Sequence, residues 1–194
     1  MMRPIFNLQS SILNRRAERG FTLVETLVAI AILMIAIAGP LVIASNGLTA
    51  ALYSRDQMIA SYLAQESVEV VKNVRDNNLF APASAGNAWD AGFESCTRSS
   101  PCDASADAGT GYTPYIGATG GSASQPLYFD QQAGYTPADN GSVPQFSRSF
   151  YVSSVDGNSV CTSGECVLHV AVMWKEGSIA DEVDLSTELV DQLR

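Results

Sequence analysis

Two groups of residues in this sequence invite a chemical reading. The first is a lone carboxylate in an apolar run. Glu25 stands four positions after Phe21, inside a stretch that stays apolar to about Ala44. A charge at the centre of a membrane-crossing helix costs about 2.5–3.5 kcal/mol on insertion scales, less near an end, and it calls for a partner. The second group is Cys96, Cys102, Cys161 and Cys166, spaced C-x5-C and C-x4-C beyond that run. Neither spacing is the C-x2-C knuckle of a zinc site, and His169 is the sole histidine. An even count in an exported domain reads as disulfides, whereas free thiols would suit a cytosolic protein. Four cysteines allow three connectivities. Nearest-neighbour pairing, Cys96–Cys102 and Cys161–Cys166, is the expected one. Such short loops stiffen local turns more than the whole fold, because loop-closure stabilisation grows with loop length.

Other chemistry finds little support. A Ser/His/Asp triad needs a histidine, and His169 alternates with the apolar face of its segment, at a surface or edge position. Asp130, Asp139 and Asn140 could line a calcium loop, but the D-x-[DN]-x-[DN]-G pattern is absent. Gly117 and Gly120-Gly121 are not a G-x-x-x-x-G-K phosphate loop. Tyr112, Tyr115, Tyr128 and Tyr135 could form an adhesive surface, with packing as their more ordinary use. No cofactor, no metal site and no enzymatic activity are expected.

The elements that must position Glu25 begin with a leader. Residues 1–20 carry Arg3, Arg15, Arg16 and Arg19 against Glu18, a charge of +3; the whole chain carries −9, so the remainder carries −12. A body that acidic suits a solvated, exported protein and argues against a nucleic-acid partner. Arg15, Arg16 and Arg19 directly precede the apolar run, so the positive-inside rule places this end in the cytoplasm and the C-terminal body outside. The run of about 24 residues is long enough to cross a bilayer core of roughly 30 Å as a helix. A secretory signal would have a shorter apolar core and a small-residue cleavage site after it. A plain signal anchor explains the length and the arginines but not Glu25.

Arg19-Gly20-Phe21-Thr22-Leu23-Val24-Glu25-Thr26-Leu27-Val28-Ala29 closely resembles the processing motif of class III signal peptides in type IV pilins and pseudopilins. The resemblance implies cleavage between Gly20 and Phe21 by a membrane-embedded prepilin peptidase, followed by N-methylation of Phe21. Gly20 would let the protease approach the backbone without obstruction. Glu25 would become the fifth residue of the mature chain and neutralise the terminal amine of a neighbouring subunit. Since an unpaired buried charge is strongly unfavourable, that pairing would seat each subunit in register. The implied partners are other pilin subunits, the peptidase, a membrane platform protein and the inner membrane, with extension driven by a separate cytoplasmic ATPase.

The helix should not stop at Ala44. From Ser45 to Asn78 the chain has no proline and one glycine, Gly47. Leu48, Leu52, Ile59, Leu63, Val70 and Val74 recur at +4 and +7, an apolar stripe of period about 3.67. Arg55, Asp56, Gln57, Glu66, Glu69 and Lys72 lie off that stripe. Gly39-Pro40 interrupts the run, so a kink or a melted stretch is expected there. Ala60-Ser61-Tyr62-Leu63-Ala64-Gln65-Glu66-Ser67-Val68-Glu69 is similar to a stretch of PilV-like minor pilins and of the minor pseudopilin I group of type II secretion systems.

Residues 79–145 are rich in Gly, Ala, Ser and Pro and read as a long connecting loop with short extended pieces. This is where pilins carry their variable αβ-loop. Trp89, Phe93, Tyr112 and Tyr115 are candidates to anchor it, and Leu127-Tyr128-Phe129 is its best strand candidate. After Pro144 the period becomes 2. Phe146, Arg148, Phe150 and Val152 share a face, as do Leu168, Val170, Val172 and Trp174, and Val183, Leu185, Thr187 and Leu189. Strands are expected over 146–155, 166–175 and 179–190, with breaks at Asp156-Gly157-Asn158 and Glu176-Gly177-Ser178.

The expected organisation is therefore a cleaved leader (1–20), a transmembrane and assembly helix (21–44), its amphipathic continuation (45–78), a variable loop region (79–145) and an antiparallel sheet (146–194). The fold class is α+β, the pilin fold. The function it implies is a structural, minor subunit of a type IV pilus-like filament, first held in the inner membrane with its C-terminal domain outside. The alternatives are a pseudopilin of a secretion or DNA-uptake machine, or a filament-borne adhesin.

Overall fold

The computed structural model describes residues 20–81, 88–107, 113–119, 122–157, 161, 164–177 and 179–191. Arg15, Arg16, Arg19 and Tyr112 lie outside the described residues, as does the side chain of Tyr115. Among the described residues one α-helix, α1 (Leu23–Phe80), precedes seven strands. These are β1 (Cys102–Asp107), β2 (Thr113–Ala118), β3 (Gln125–Asp130), β4 (Gly134–Thr136), β5 (Phe146–Ser153), β6 (Glu165–Glu176) and β7 (Ile179–Val190). The architecture is the expected α+β one. The chain divides into two units, one ending at Leu48 and one beginning at Thr49.

Gly39 and Pro40 lie within α1, which continues through them. Of the kink or melted stretch expected there, melting does not occur: proline withholds a single amide from the ladder, and the helix on both sides persists. Throughout 20–52 the side chains are exposed.

The core of the second unit uses α1 from Asp56 to Arg75. Ala60, Leu63, Ala64, Ser67, Val71 and Arg75 form the buried face, spaced three and four apart. The expected stripe holds at Leu63 and Val70, which are buried, and at Ile59 and Val74, which pack on the core, but its start is corrected. Leu48 and Leu52 are exposed, whereas Asp56, read as lying off the stripe, is buried. The apolar faces of β5, β6 and β7 meet the helix where residues 60, 64 and 67 are small. Phe146, Phe150, Val152, Leu168, Val170, Val172, Trp174 and Leu189 join Ala60, Leu63, Ala64 and Val71 in one core.

β5, β6 and β7 form an antiparallel meander, with Phe150 opposite Val170 and Val170 opposite Leu185. Its turns use Gly157 (φ +80°) and Gly177 (φ +61°), a left-handed conformation that other residues adopt at a cost. The other edge of β5 is shared. β3 pairs with Phe146–Arg148, and β1 pairs through Cys102 with Phe150. β2 and β4 add hairpins to β1 and β3. The stretch 79–145 contributes four short strands where a long connecting loop with short extended pieces was expected. The strand at 127–129 was legible; the β1–β2 hairpin was not.

Side chains of α1 serve β1 where a neighbouring strand does not. Ser67 Oγ donates to the Ala104 carbonyl (2.8 Å), and the Ala106 amide donates to Glu66 Oε1 (3.1 Å). At the fork between β1 and β3, Arg148 is fully buried. It donates to Asp103 Oδ1 (2.7 Å), to Glu66 Oε2 (3.2 Å) and to the Leu63 carbonyl (3.1 Å). The alternation placed Arg148 on the core face; the fork supplies its partners. Asp56 Oδ2 accepts from Gln145 Nε2 (3.0 Å), and the Tyr53 hydroxyl donates to Asp181 on the edge strand. Phe93 is buried, Trp89 packs edge-on against it, and Asn78 Nδ2 binds the Trp89 and Ala91 carbonyls. These contacts fasten the end of α1 to the turn that follows it.

Candidate functional site

The site begins where the backbone changes from irregular to helical. Gly20 and Phe21 precede α1 and are exposed, Phe21 by 79%. The peptide bond between them is therefore outside the helical hydrogen-bond ladder. Thr22 caps the helix: its Oγ1 accepts from the Glu25 amide (3.2 Å), and its carbonyl accepts from the Thr26 amide (3.1 Å). Thr22-x-x-Glu25 has the residue pattern of a capping box, a signal readable in the sequence. Thr26 Oγ1 turns back on the Leu23 carbonyl (2.9 Å).

Glu25 thus occupies the first turn of α1, where backbone amides point outward and the helix dipole favours negative charge. It lies one turn after Phe21, the residue whose nitrogen would become a terminal ammonium after cleavage. The residues that follow are apolar and exposed, among them Leu27, Ile30, Leu33 and Ile37. By length and composition, the helix is apolar enough to cross a membrane.

Residues 15–39 match the family model for the prokaryotic N-terminal methylation motif. The match covers Gly20, Phe21 and Glu25 and ends at Gly39. It supports a subunit of the type IV pilin or pseudopilin kind, made as a precursor, processed by prepilin peptidase and assembled into filaments. No curated protein and no solved structure matches the chain.

The other candidate residues have structural roles. Cys96–Cys102 and Cys161–Cys166 are bridged, with Cα–Cα distances of 5.4 and 5.2 Å. Asp130 Oδ1 accepts from the amides of Gln132 and Ala133, which hold its carboxyl below the usual carboxylate range. Asp139 accepts from the Gly141 amide, and Asn140 binds the Ser142 amide and the Phe129 carbonyl. These side chains shape turns, and among the described residues no group of three acidic, histidine or cysteine side chains is placed to hold a metal ion. Tyr135 packs edge-on against both Phe129 and Phe146. Tyr128 is half-buried.

His169 stands on the outward face of β6, as its alternation implied. Its ring stacks on that of Tyr151, its cross-strand neighbour, with centroids 4.6 Å apart and planes 13° from parallel. Ser153 Oγ lies 3.1 Å from its Nε2. Burial holds the imidazole pKa below its ordinary value; repulsion from Arg98 adds to this, and Asp184 opposes it. Sequence reasoning missed this cluster, since its members lie on three separate segments.

Proposed function

We propose that this chain is the precursor of a structural, minor filament subunit, cleaved after Gly20 and methylated on Phe21. The observation that carries the reading is the methylation motif at 15–39, laid over the start of a long apolar helix. Cutting ahead of that helix leaves the anchor on the mature protein. It also creates an ammonium beside a helix whose first turn carries one carboxylate, Glu25. A neighbouring subunit's terminal amine is the partner that Glu25 lacks in its own apolar run, and pairing the two charges favours one register over others. The subunit waits in the inner membrane with its C-terminal domain outside, and a membrane platform protein feeds it into the filament. Its first helical half is then buried among other subunits, and its sheet domain is displayed. The similarity of residues 60–69 to PilV-like subunits supports the minor role. The chain acts as a substrate of the peptidase and not as an enzyme.

Mass spectrometry of the mature N-terminus tests this reading. N-methyl-Phe21, or unmodified Phe21 in a strain lacking the methyltransferase activity, is the expected terminus. An intact leader, or cleavage at any other bond, would refute it.

A further inference from the structure

We infer that the outward face of the sheet binds a small monoanionic ligand of the carboxylated-sugar class, in the hollow bounded by Arg98, Tyr151, Ser153 and His169. The hollow measures about 630 Å³ and is bordered also by Ser99 and Gly157. It is independent of the processing segment.

The first observation is the state of Arg98. Among the described residues, Arg55, Lys72, Arg75 and Arg148 each pair with a carboxylate within 4 Å. Arg98 is exposed and has no such pair among the described residues; its guanidinium sits 5.7 Å from the centre of the Tyr151 ring. An arginine held on an aromatic ring keeps N–H donors available in a planar fork that matches a carboxylate.

The second observation is how firmly Arg98 is placed. It lies in a tight turn between Thr97 and Ser100, which exchange backbone hydrogen bonds of 3.1 and 3.0 Å. The Cys96–Cys102 disulfide closes that turn at its base. The Val152 amide then donates to the Cys96 carbonyl (2.8 Å), tying the turn to β5 beside Tyr151. A backbone fixed before binding does not have to be ordered on binding, so the turn that carries Arg98 adds little entropic cost.

The third observation is the chemistry of the rim. Ser99 and Ser153 line the hollow with Arg98; the Ser99 hydroxyl also bonds Thr97 Oγ1 (3.1 Å), the Ser153 hydroxyl lies 3.1 Å from His169 Nε2, and the stacked Tyr151 and His169 rings border the same space. A carboxylate on Arg98, sugar hydroxyls on the serines and C–H groups against the rings match that set. One cation on an acidic body fits one negative charge, so a phosphate ester or a long polyanion is disfavoured.

The test uses the full chain, oxidised and in detergent micelles, titrated with methyl β-glucuronide by saturation-transfer NMR and calorimetry. Methyl β-glucoside and glucose 1-phosphate are the comparison ligands. The glucuronide is expected to bind, with the glucoside at least about tenfold weaker, since a charge-assisted bidentate contact is lost. Arg98→Gln should weaken glucuronide binding by a similar factor, and Arg98→Lys should restore part of it. Intact near-ultraviolet dichroism verifies that each variant is folded. Absence of glucuronide binding would overturn the inference, as would equal affinity for the glucoside or no effect of Arg98→Gln. Tighter binding of the phosphate ester would overturn the carboxylate assignment.

Discussion

Removing Asp103 tests whether the buried charges at the sheet fork hold the second unit together. Arg148 is fully buried and its shortest contact is the 2.7 Å bond to Asp103, whose side chain is 3% exposed. Glu66, its other carboxylate, lies 3.2 Å away and is 32% exposed, so water weakens that pairing. Asp103→Ala leaves a buried guanidinium with one partly solvated partner and a neutral carbonyl. Breaking a buried pair in this way costs about 3–5 kcal/mol, because the surviving charge is uncompensated. For a chain of this size, 1 kcal/mol shifts the midpoint by about 2–4 °C, so a fall of roughly 6–20 °C is expected. Replacing both partners, Asp103→Leu with Arg148→Met, removes the stranded charge and should recover most of the loss. Urea and thermal unfolding of the full chain in detergent, followed through Trp89 and Trp174 fluorescence, gives both numbers. A loss below about 1 kcal/mol for Asp103→Ala would refute the argument. So would a double variant as unstable as the single one, since the penalty would then lie in packing and not in charge.

Three further outcomes are expected. Glu25→Ala should be cleaved and methylated much as the parent, yet enter filaments poorly; normal incorporation, measured by immunoblot of sheared filaments, would refute charge pairing. Replacing Cys96 and Cys102 by serine should cost about 2 kcal/mol from the lost closure of a seven-residue loop, read as a shift in urea midpoint. The Tyr53 hydroxyl, followed by the Glu182 amide, holds the Asp181 carboxyl below its usual range. A depressed carboxylate contributes stability that is present above its unfolded pKa and lost as pH falls through its folded value. Tyr53→Phe should therefore raise the Asp181 pKa, seen by carboxyl NMR, and flatten the acid limb of the stability profile below about pH 4. An unchanged titration would show that the hydroxyl is not the cause.

Much of the fold was legible because burial leaves a period. β5, β6 and β7 place large apolar residues at every second position often enough to give their extents and inward faces, although β6 also carries Val167, Ala171 and Met173 on its other face. β1 and β2, Cys-Asp-Ala-Ser-Ala-Asp and Thr-Pro-Tyr-Ile-Gly-Ala, have little of that pattern and weak strand propensity. They are strands because Glu66, Ser67 and the Cys96–Cys102 bridge satisfy and anchor β1 from outside its own segment. The helix stripe was misplaced for a related reason. Asp56 and Arg75 are polar by type, but distant partners and local carboxylates make their burial tolerable.

The sequence alone determined the segment that matches the methylation motif. Its information is local: a basic leader, a glycine, an apolar run and a single carboxylate, all within residues 15–39 and all read through covalent neighbours. It also determined the cap, since Thr22 and Glu25 are three residues apart on one turn. Tertiary structure decided what depends on segments meeting. It gave Arg148 its two carboxylates, seated Arg98 over Tyr151, and set His169 beside Ser153. Those pairings join residues 16 to 82 positions apart, and only the strand register and the docking of α1 on the sheet bring them within reach.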